Sequence, residues 1–259
     1  MTREETTAAR REAVSGELKV RHCHGLGEFE DCLELQRRVW GGADIELVPL
    51  PLFVVAAETG GQVLGAFAGE TLLGFTLALA GVRDARPFLH SHMTAVLEDF
   101  RDRGVGRQLK LFQRQDALAR GIELVEWTFD PLELRNAYFN LVRLGAIVRR
   151  FLPNCYGITS SPLHGGLPTD RLMAEWWLRS PRVITALGSG SVRRAGPTVR
   201  IRVPAGIDLM RREDPAGLAQ VQAEVRQQFE RWLGQGYAAT GLERAPDGGD
   251  YLLEPWRGP

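Results

Sequence analysis

The stretch Val96-Leu97-Glu98-Asp99-Phe100-Arg101-Asp102-Arg103-Gly104-Val105-Gly106-Arg107-Gln108-Leu109 constrains this chain most, because an apolar run ends there in a basic, glycine-spaced turn that opens an amphipathic helix. Val105, Leu109, Leu111, Phe112 and Leu118 supply the apolar stripe of a helix expected from Gly104 to Arg120, with Gly121 placed to cap its end. The glycines let the backbone come close to a ligand, and the unpaired N–H groups of the first turn point outward. Arg101, Arg103 and Arg107 add positive charge to the helix dipole. The segment therefore reads as a cradle for a phosphate or pyrophosphate, the alternative being a helix that merely starts after a glycine turn. Its spacing is not the Gly-x-Gly-x-x-Gly of a dinucleotide fold, since position 109 is leucine, and no Gly-Lys-Ser/Thr follows as in a P-loop. Nicotinamide and nucleoside-triphosphate chemistry are disfavoured.

Downstream come a strand-like Leu124-Val125-Glu126-Trp127-Thr128-Phe129, a turn at Asp130-Pro131, and then Arg135-Asn136-Ala137-Tyr138-Phe139-Asn140-Leu141-Val142-Arg143-Leu144-Gly145-Ala146. This order resembles the GNAT superfamily of acyl-CoA-dependent N-acyltransferases. There an Arg/Gln-x-x-Gly-x-Gly/Ala turn after the fourth strand holds the coenzyme A pyrophosphate, and an Asn-Ala helix ending in a Leu-Gly-Phe-like step follows the fifth. Arg101 to Gly106 matches the first motif residue by residue. Leu144-Gly145-Ala146 matches the end of the second with alanine in place of the usual aromatic. The resemblance implies an α/β (α+β) fold with a mixed, mostly antiparallel central sheet flanked by helices. It also implies acetyl-CoA or another acyl-CoA as co-substrate, held by Arg101, Arg103, Gly104, Val105, Gly106 and Arg107, with Val96 supplying backbone contact.

Composition agrees with an ordinary globular protein: 259 residues, 44% hydrophobic and 25% charged. The formal net charge is zero and Lys19 and Lys110 are the only lysines, so the chain carries no electrostatic footprint for general nucleic-acid binding. Cys23, Cys32 and Cys155 are too few and scattered for a disulfide framework or a metal knuckle, and fit a reduced, cytoplasmic setting. Met1 to Gly16 lacks the apolar core of a secretory signal and reads as a frayed lead-in or a short exposed helix. Leu72 to Ala80 is apolar but well short of the roughly 18 residues of a membrane span. No metal, nucleic-acid or membrane partner is expected.

Periodicity and punctuation place the elements. Leu18 to His22 alternates like a strand; Phe29, Leu33, Leu35, Val39 and Trp40 suit a helix ending at Gly41-Gly42; a second helix is expected near Pro49 to Glu58. Strands Gln62 to Ala68 and Leu72 to Leu79 flank a tight Gly69-Glu70 turn, and a further strand from Phe88 to Val96 leads into the glycine turn. Leu167 to Leu178 looks like a loop feeding a strand, Gly188 to Gly196 like a linker, and Thr198 to Val203 like a strand. Asp214-Pro215 is a good N-cap and first-turn pair for a helix carrying Leu218, Val221, Val225, Phe229 and Trp232, with short strands near Tyr237 to Leu242 and Tyr251 to Leu253. The expected organisation is a polar lead-in at 1–17, a GNAT-like acyl-CoA-binding domain at 18–180, and a C-terminal α/β extension at 181–259. The extension packs on the main domain or across a homodimer.

Acyl transfer to an amine needs a deprotonated amine, a thioester held in line, donors for the oxyanion and an acid for the leaving thiolate. On a regular Phe88 to Val96 strand, His90, His92, Thr94 and Val96 share one face while Ser91, Met93 and Ala95 share the other. His92 lies four residues before the turn, close to where the family places a base or a water-holding group; a partly exposed strand histidine is the alternative. On a helix from Leu132 to Leu144, Leu134, Tyr138, Leu141 and Leu144 form the apolar stripe and Asn136, Asn140 and Arg143 another face. Many family members carry a tyrosine four residues before the glycine as the thiolate's acid. Here that position is Leu141, so Tyr138, one turn earlier, is the substitute, with a core role as its alternative. Asn136 and Asn140 are candidates to hydrogen-bond the pantetheine arm, or are solvent-facing amides. Asn154, Tyr156 and Ser160-Ser161 are candidates to wall an acceptor pocket, a plain surface loop being the favoured alternative, and Arg171 either binds a carboxylate of the acceptor or acyl group or pairs with Asp170 or Glu175. No Gly-x-Ser-x-Gly elbow is present, which argues against covalent catalysis.

A sharper resemblance is to a bacterial GNAT branch with His-Met-x-Ala-Val before the turn, Thr-Phe-Asp-Pro-Leu before the second motif and a C-terminal extension; the chain has these at His92 to Val96 and Thr128 to Leu132. The branch includes amino-acid N-succinyltransferases. It implies a small amine acceptor, such as an amino acid, and an acetyl or succinyl donor. A coenzyme A-binding module without turnover is the competing expectation, motivated by Leu141.

Overall fold

A computed structural model describes residues 17–41, 47–159, 166–188 and 198–258. The lead-in at 1–16, Ser160-Ser161 and the linker beyond Gly188 lie outside the described residues. The chain divides into two compact units, Met1–Val125 and Glu126–Pro259, and both are α/β.

The first unit is an antiparallel meander of β1 (Leu18–His22), β2 (Gln62–Ala68), β3 (Thr71–Arg83) and β4 (Arg86–Val96), with α1 (Gly25–Trp40), α2 (Leu50–Glu58) and α3 (Val105–Ala119). Every residue of β2 is buried, the pattern of a strand covered on both faces. Phe53 of α2 meets Phe75 of β3 at 5.8 Å between ring centroids, and Phe75 pairs in register with Gly65. Gln62, three residues from Gly65 and so on the opposite face, bonds to Gln113 of α3. Thus α2 and α3 cover opposite faces, and Phe29 stacks α1 on α2.

Two expectations need correction here. The predicted gap between Leu79 and Phe88 is strand: β3 and β4 run on to a two-residue turn at Asp84-Ala85, both at positive φ (51° and 58°). Non-glycine residues in that conformation carry no glycine signal. The buried face of α3 is only partly the predicted stripe: Val105 and Leu109 are buried, together with Lys110, Gln113 and Ala117, while Leu111, Phe112 and Leu118 are only half-buried.

The second unit has strand order β5-β7-β6-β9-β10-β8, with β5 at Leu124–Phe129, β6 at Ile147–Leu152, β7 at Arg171–Trp177, β8 at Val199–Pro204, β9 at Tyr237–Ala245 and β10 at Gly248–Pro255. Its helices are α4 (Leu134–Tyr138), which passes into a π turn at Phe139–Arg143, then α5 (Pro181–Gly188), α6 (Ile207–Glu213) and α7 (Pro215–Gly234). The pairs β6/β7, β9/β10 and β8/β10 are antiparallel. Phe229 of α7 stacks on Phe151 of β6 and meets Tyr251 of β10 edge-on at 5.0 Å, fastening the helix to the sheet. No described helix is long and apolar enough to cross a membrane.

The single helix predicted from Leu132 to Leu144 is a further correction. The Asp130 carboxylate accepts from the Leu132 N–H at 2.8 Å and its carbonyl from Glu133, so the first two predicted positions belong to an Asx turn. The α-helical ladder then widens, Leu144 N–H reaching back five residues to the Phe139 carbonyl at 3.0 Å. Gly145 ends it at φ 76°, where a Cβ would come within 2.9 Å of the Ala186 methyl.

Candidate active site

The glycine turn hangs from the end of β4. Leu97 N–H still bonds to the Leu73 carbonyl, then Glu98–Phe100 makes one tight turn and Asp102 and Gly104 follow at φ 60° and 83°. Gly104 occupies the N-cap of α3 in the left-handed region, where a side chain would be strained. It offers no capping side chain, and the first turn of α3 holds no acidic residue. The helix thus opens with outward N–H groups at Val105, Gly106 and Arg107 and the positive end of its dipole. Arg101, Arg103 and Gly104 are exposed, Gly106 and Arg107 half-buried, and Val105 buried beneath them. Arg101 donates from Nε to the Val96 carbonyl at 3.4 Å, and the Arg103 guanidinium lies 5.6 Å from the Phe100 ring. The structure therefore brings Val96 and residues 101–107 together at the start of α3, where Arg101, Arg103 and Arg107 stand among Glu98, Asp99 and Asp102.

Upstream, β4 departs from regularity. Leu77 faces Met93 and its neighbour Ala78 faces Ser91, which leaves His92 as an extra residue in the ladder. A bulge of this kind re-aims side chains and interrupts pairing. His92 is exposed, and its ring lies 6.3 Å from that of His90. Loss of water around the imidazole, with a smaller contribution from His90, presses its pKa below the usual histidine value. A histidine neutral at pH 7 can accept a proton or hold a water.

Behind the bulge lies a buried polar chain that periodicity does not reveal. Ser91 Oγ accepts from Lys110 Nζ at 2.8 Å, and Lys110 also donates to Gln113 Oε1 at 3.0 Å. Gln113 donates to Gln62 at 3.0 Å, and Gln62 to Asp116 at 2.6 Å. Asp116 in turn meets His22 at 3.0 Å and Arg120 at 3.0 Å. Burial pushes the Lys110 ammonium down to about 7. Burial pushes the Asp116 carboxyl up, but Gln62, His22 and Arg120 outweigh it and hold the pKa below the ordinary range. The available sequence signal is that Lys110 is one of two lysines among 32 basic residues.

In the second unit Asn136 is exposed, whereas Asn140, expected on the polar face with it, is buried by the π turn. Its Nδ2 finds no acceptor among the described residues, while its carbonyl accepts from Ala146 at 3.0 Å. Tyr138 is half-buried with the Arg244 guanidinium 4.6 Å from its ring centroid. Leu141 is fully buried.

The loop after β6 is fastened to the start of β7: Asn154 N–H bonds to the Asp170 carboxylate at 3.0 Å and Tyr156 N–H to Thr169 Oγ1 at 2.8 Å. The Tyr156 hydroxyl shares a 2.8 Å bond with Thr128. The ion pairs expected of Arg171 go elsewhere: Asp170 is held by Arg226 at 2.6 and 2.8 Å and Glu175 by Arg149 at 2.6 Å, while Arg171 donates to the Asp170 carbonyl and stands 3.9 Å from Asp130. Desolvation raises the Asp130 carboxyl against the opposing pull of Arg171 and Arg211. Among the described residues no group of three His, Cys, Asp or Glu side chains is arranged to hold a metal ion.

No protein-family model matches the chain, and no curated protein matches its sequence. Solved structures do match its fold. The ribosomal-protein-S18-alanine N-acetyltransferase from Escherichia coli aligns at 13% identity over 63% of this chain and 96% of its own, with a TM-score of 0.50. A protein from Desulfovibrio desulfuricans, described as an acetyltransferase of the GNAT family, aligns at 13% identity over 62% and 99%, TM-score 0.51. A Streptococcus mutans protein aligns at 16% identity over 62% and 99%, TM-score 0.51. These are likenesses of fold over a little more than three-fifths of the chain.

Proposed function

We propose that the chain is an acyl-CoA-dependent N-acyltransferase that moves an acetyl or succinyl group to the amine of a small molecule, such as an amino acid, by direct attack on the thioester. The observation that carries the reading is the uncapped start of α3 at Gly104, set directly after a bulged β4. The residues of that turn fit coenzyme A: the first-turn N–H groups with Arg101, Arg103 and Arg107 suit its pyrophosphate. Asn136 and Asn140 are, by the family resemblance, the candidates for the pantetheine arm.

In this reading the turn anchors the nucleotide end, so that binding energy remote from the reaction orients the thioester. His92, neutral at working pH, takes the proton from the attacking ammonium directly or through a water. Tyr138 supplies the proton to the departing thiolate, since Leu141 brings no phenol to the position where the family often has one.

The test is release of free thiol from acetyl-CoA and succinyl-CoA over a panel of amines. His92→Gln is expected to lower kcat about 100-fold or more with KM for the acyl-CoA unchanged, in the range typical of a lost general base. Because the pKa of His92 lies below the ordinary histidine value, kcat rises with pH on the acid side of about 6.5 and the variant loses that limb. A second reading, a coenzyme A-binding sensor without turnover, is favoured by the burial of Leu141. Binding without thiol release for any amine would select it.

A further inference from the structure

Resting on the reading of β4 and its turn as the acyl-transfer site, we propose that Lys110 is a positioning residue: by clasping Ser91 it holds the bulged stretch of β4 around His92 at a fixed place on the cofactor helix.

The geometry is direct. Lys110 Nζ lies 2.8 Å from Ser91 Oγ, and Ser91 is the residue immediately before the extra residue of the bulge. In a regular ladder the neighbouring strand fixes each residue by paired N–H···O=C bonds. Where two residues face one, that constraint lapses locally on the β3 side, and a further bond can restore it. Here a side-chain bond from the helix does so. Lys110 lies one turn past Gly106, so the helix that presents the anion-binding N–H groups also grips the strand that carries His92. Gln113, one turn further along, accepts the second Lys110 bond at 3.0 Å and is itself held by Gln62 of β2 at 3.0 Å. The clasp is therefore braced and aimed rather than floppy.

Cost supports the assignment. Lys110 is 4% exposed and Ser91 3%, and burying an amine is expensive where a leucine or methionine would fill the same space. The residue choice is equally pointed. The chain uses arginine for nearly all its basic positions, and at this one a compact ammonium on a flexible stem donates to both a serine hydroxyl and a glutamine carbonyl. Of the charged and titratable groups on the packed elements, His22 of β1 meets Asp116 at the far end of the chain of bonds, His90 and His92 flank Ser91 on β4, and Asp116 and Arg120 continue α3. A clasp of this sort acts through Ser91 on where His92 sits, and touches neither the cofactor nor the acceptor itself.

The experiment is a double-mutant cycle on the full chain with Lys110→Met, Ser91→Ala and the pair, read with acetyl-CoA and the best amine of the panel. Each single change is expected to lower kcat about tenfold, as a strand displaced by a fraction of an ångström would, with KM for acetyl-CoA moving less than about threefold. The double variant is expected to fall no further, since both changes open one clasp. In the absence of substrate, the amide NMR signals of Ser91, His92 and Met93 are expected to shift in Lys110→Met while those of Leu18–Arg21 on β1 and Leu64–Ala68 on β2 stay in place. Additive losses, unchanged kcat, or kcat and KM falling together with the melting temperature would assign Lys110 to structure alone and overturn the proposal. A wild-type chain that neither binds acetyl-CoA nor releases thiol would strike the function reading instead. Unmoved Ser91–Met93 signals would overturn the clasp whatever the activity.

Discussion

Two helices of this chain begin in opposite ways. At the start of α7, Asp214 accepts from Gly217 N–H at 2.9 Å and Pro215 fills the first turn, so the helix satisfies its own end. At the start of α3, Gly104 brings no cap, Asp102 and Gly104 take left-handed conformations, and basic residues surround N–H groups that α3 does not itself bond. The interiors differ too. The buried face of α7 is Leu218, Gln222, Val225 and Phe229, whereas that of α3 includes Lys110 and Gln113. One helix is arranged for stability. The other gives up easy stabilisation at its end and in its core, and both concessions lie where an anion and a reacting strand would be held.

The contrast can be broken by substitution. Gly104→Val places a β-branched residue at φ 83° and should distort the turn, weakening acetyl-CoA binding about 100-fold or more by calorimetry, about 2.7 kcal/mol. Arg107→Glu makes the start of α3 resemble an ordinary acid-led helix. It is expected to weaken acetyl-CoA binding about tenfold while changing thermal stability by less than about 1 kcal/mol.

Lys110 sharpens the difference between the interiors. Its folded pKa of about 7 lies below the ordinary lysine value of 10.5, so the unfolded chain holds the extra proton between the two. Stability should therefore rise with pH across that window, by roughly 1 kcal/mol from pH 7 to 8, and fall back as pH drops toward 7. Urea titrations at the two pH values check it, and Lys110→Met should remove that increment. Asp214→Ala is the counterpart at α7: a loss of about 1 kcal/mol in stability with no change in acetyl-CoA affinity.

Much of this contrast is written in residue types. Asp214-Pro215 announces a cap, and Arg101-x-Arg103-Gly104-x-Gly106 an open turn, because each depends on local backbone chemistry. What depends on tertiary context is less visible. The β3–β4 turn uses Asp84 and Ala85, which carry no turn signature of their own strong enough to place it, so the strands read as shorter than they are. The π turn that buries Asn140 arises from the Asx turn before it and the close packing of Gly145 after it. Lys110 and Gln113 escape apolar periodicity because they are polar residues on the buried face, their burial offset by partners on β4 and β2 that are distant in sequence. His92 was placed on the expected strand, but its position in a bulge depends on how β3 pairs.

The central claim is that the open start of α3 holds the pyrophosphate of an acyl-CoA. Calorimetric titration of the full chain with acetyl-CoA, succinyl-CoA and free coenzyme A tests it most directly. Micromolar binding, about −8 kcal/mol, that Gly104→Val weakens about 100-fold or more is the expected result. No heat with any of the three at millimolar concentration, or binding that Gly104→Val leaves untouched, would contradict it.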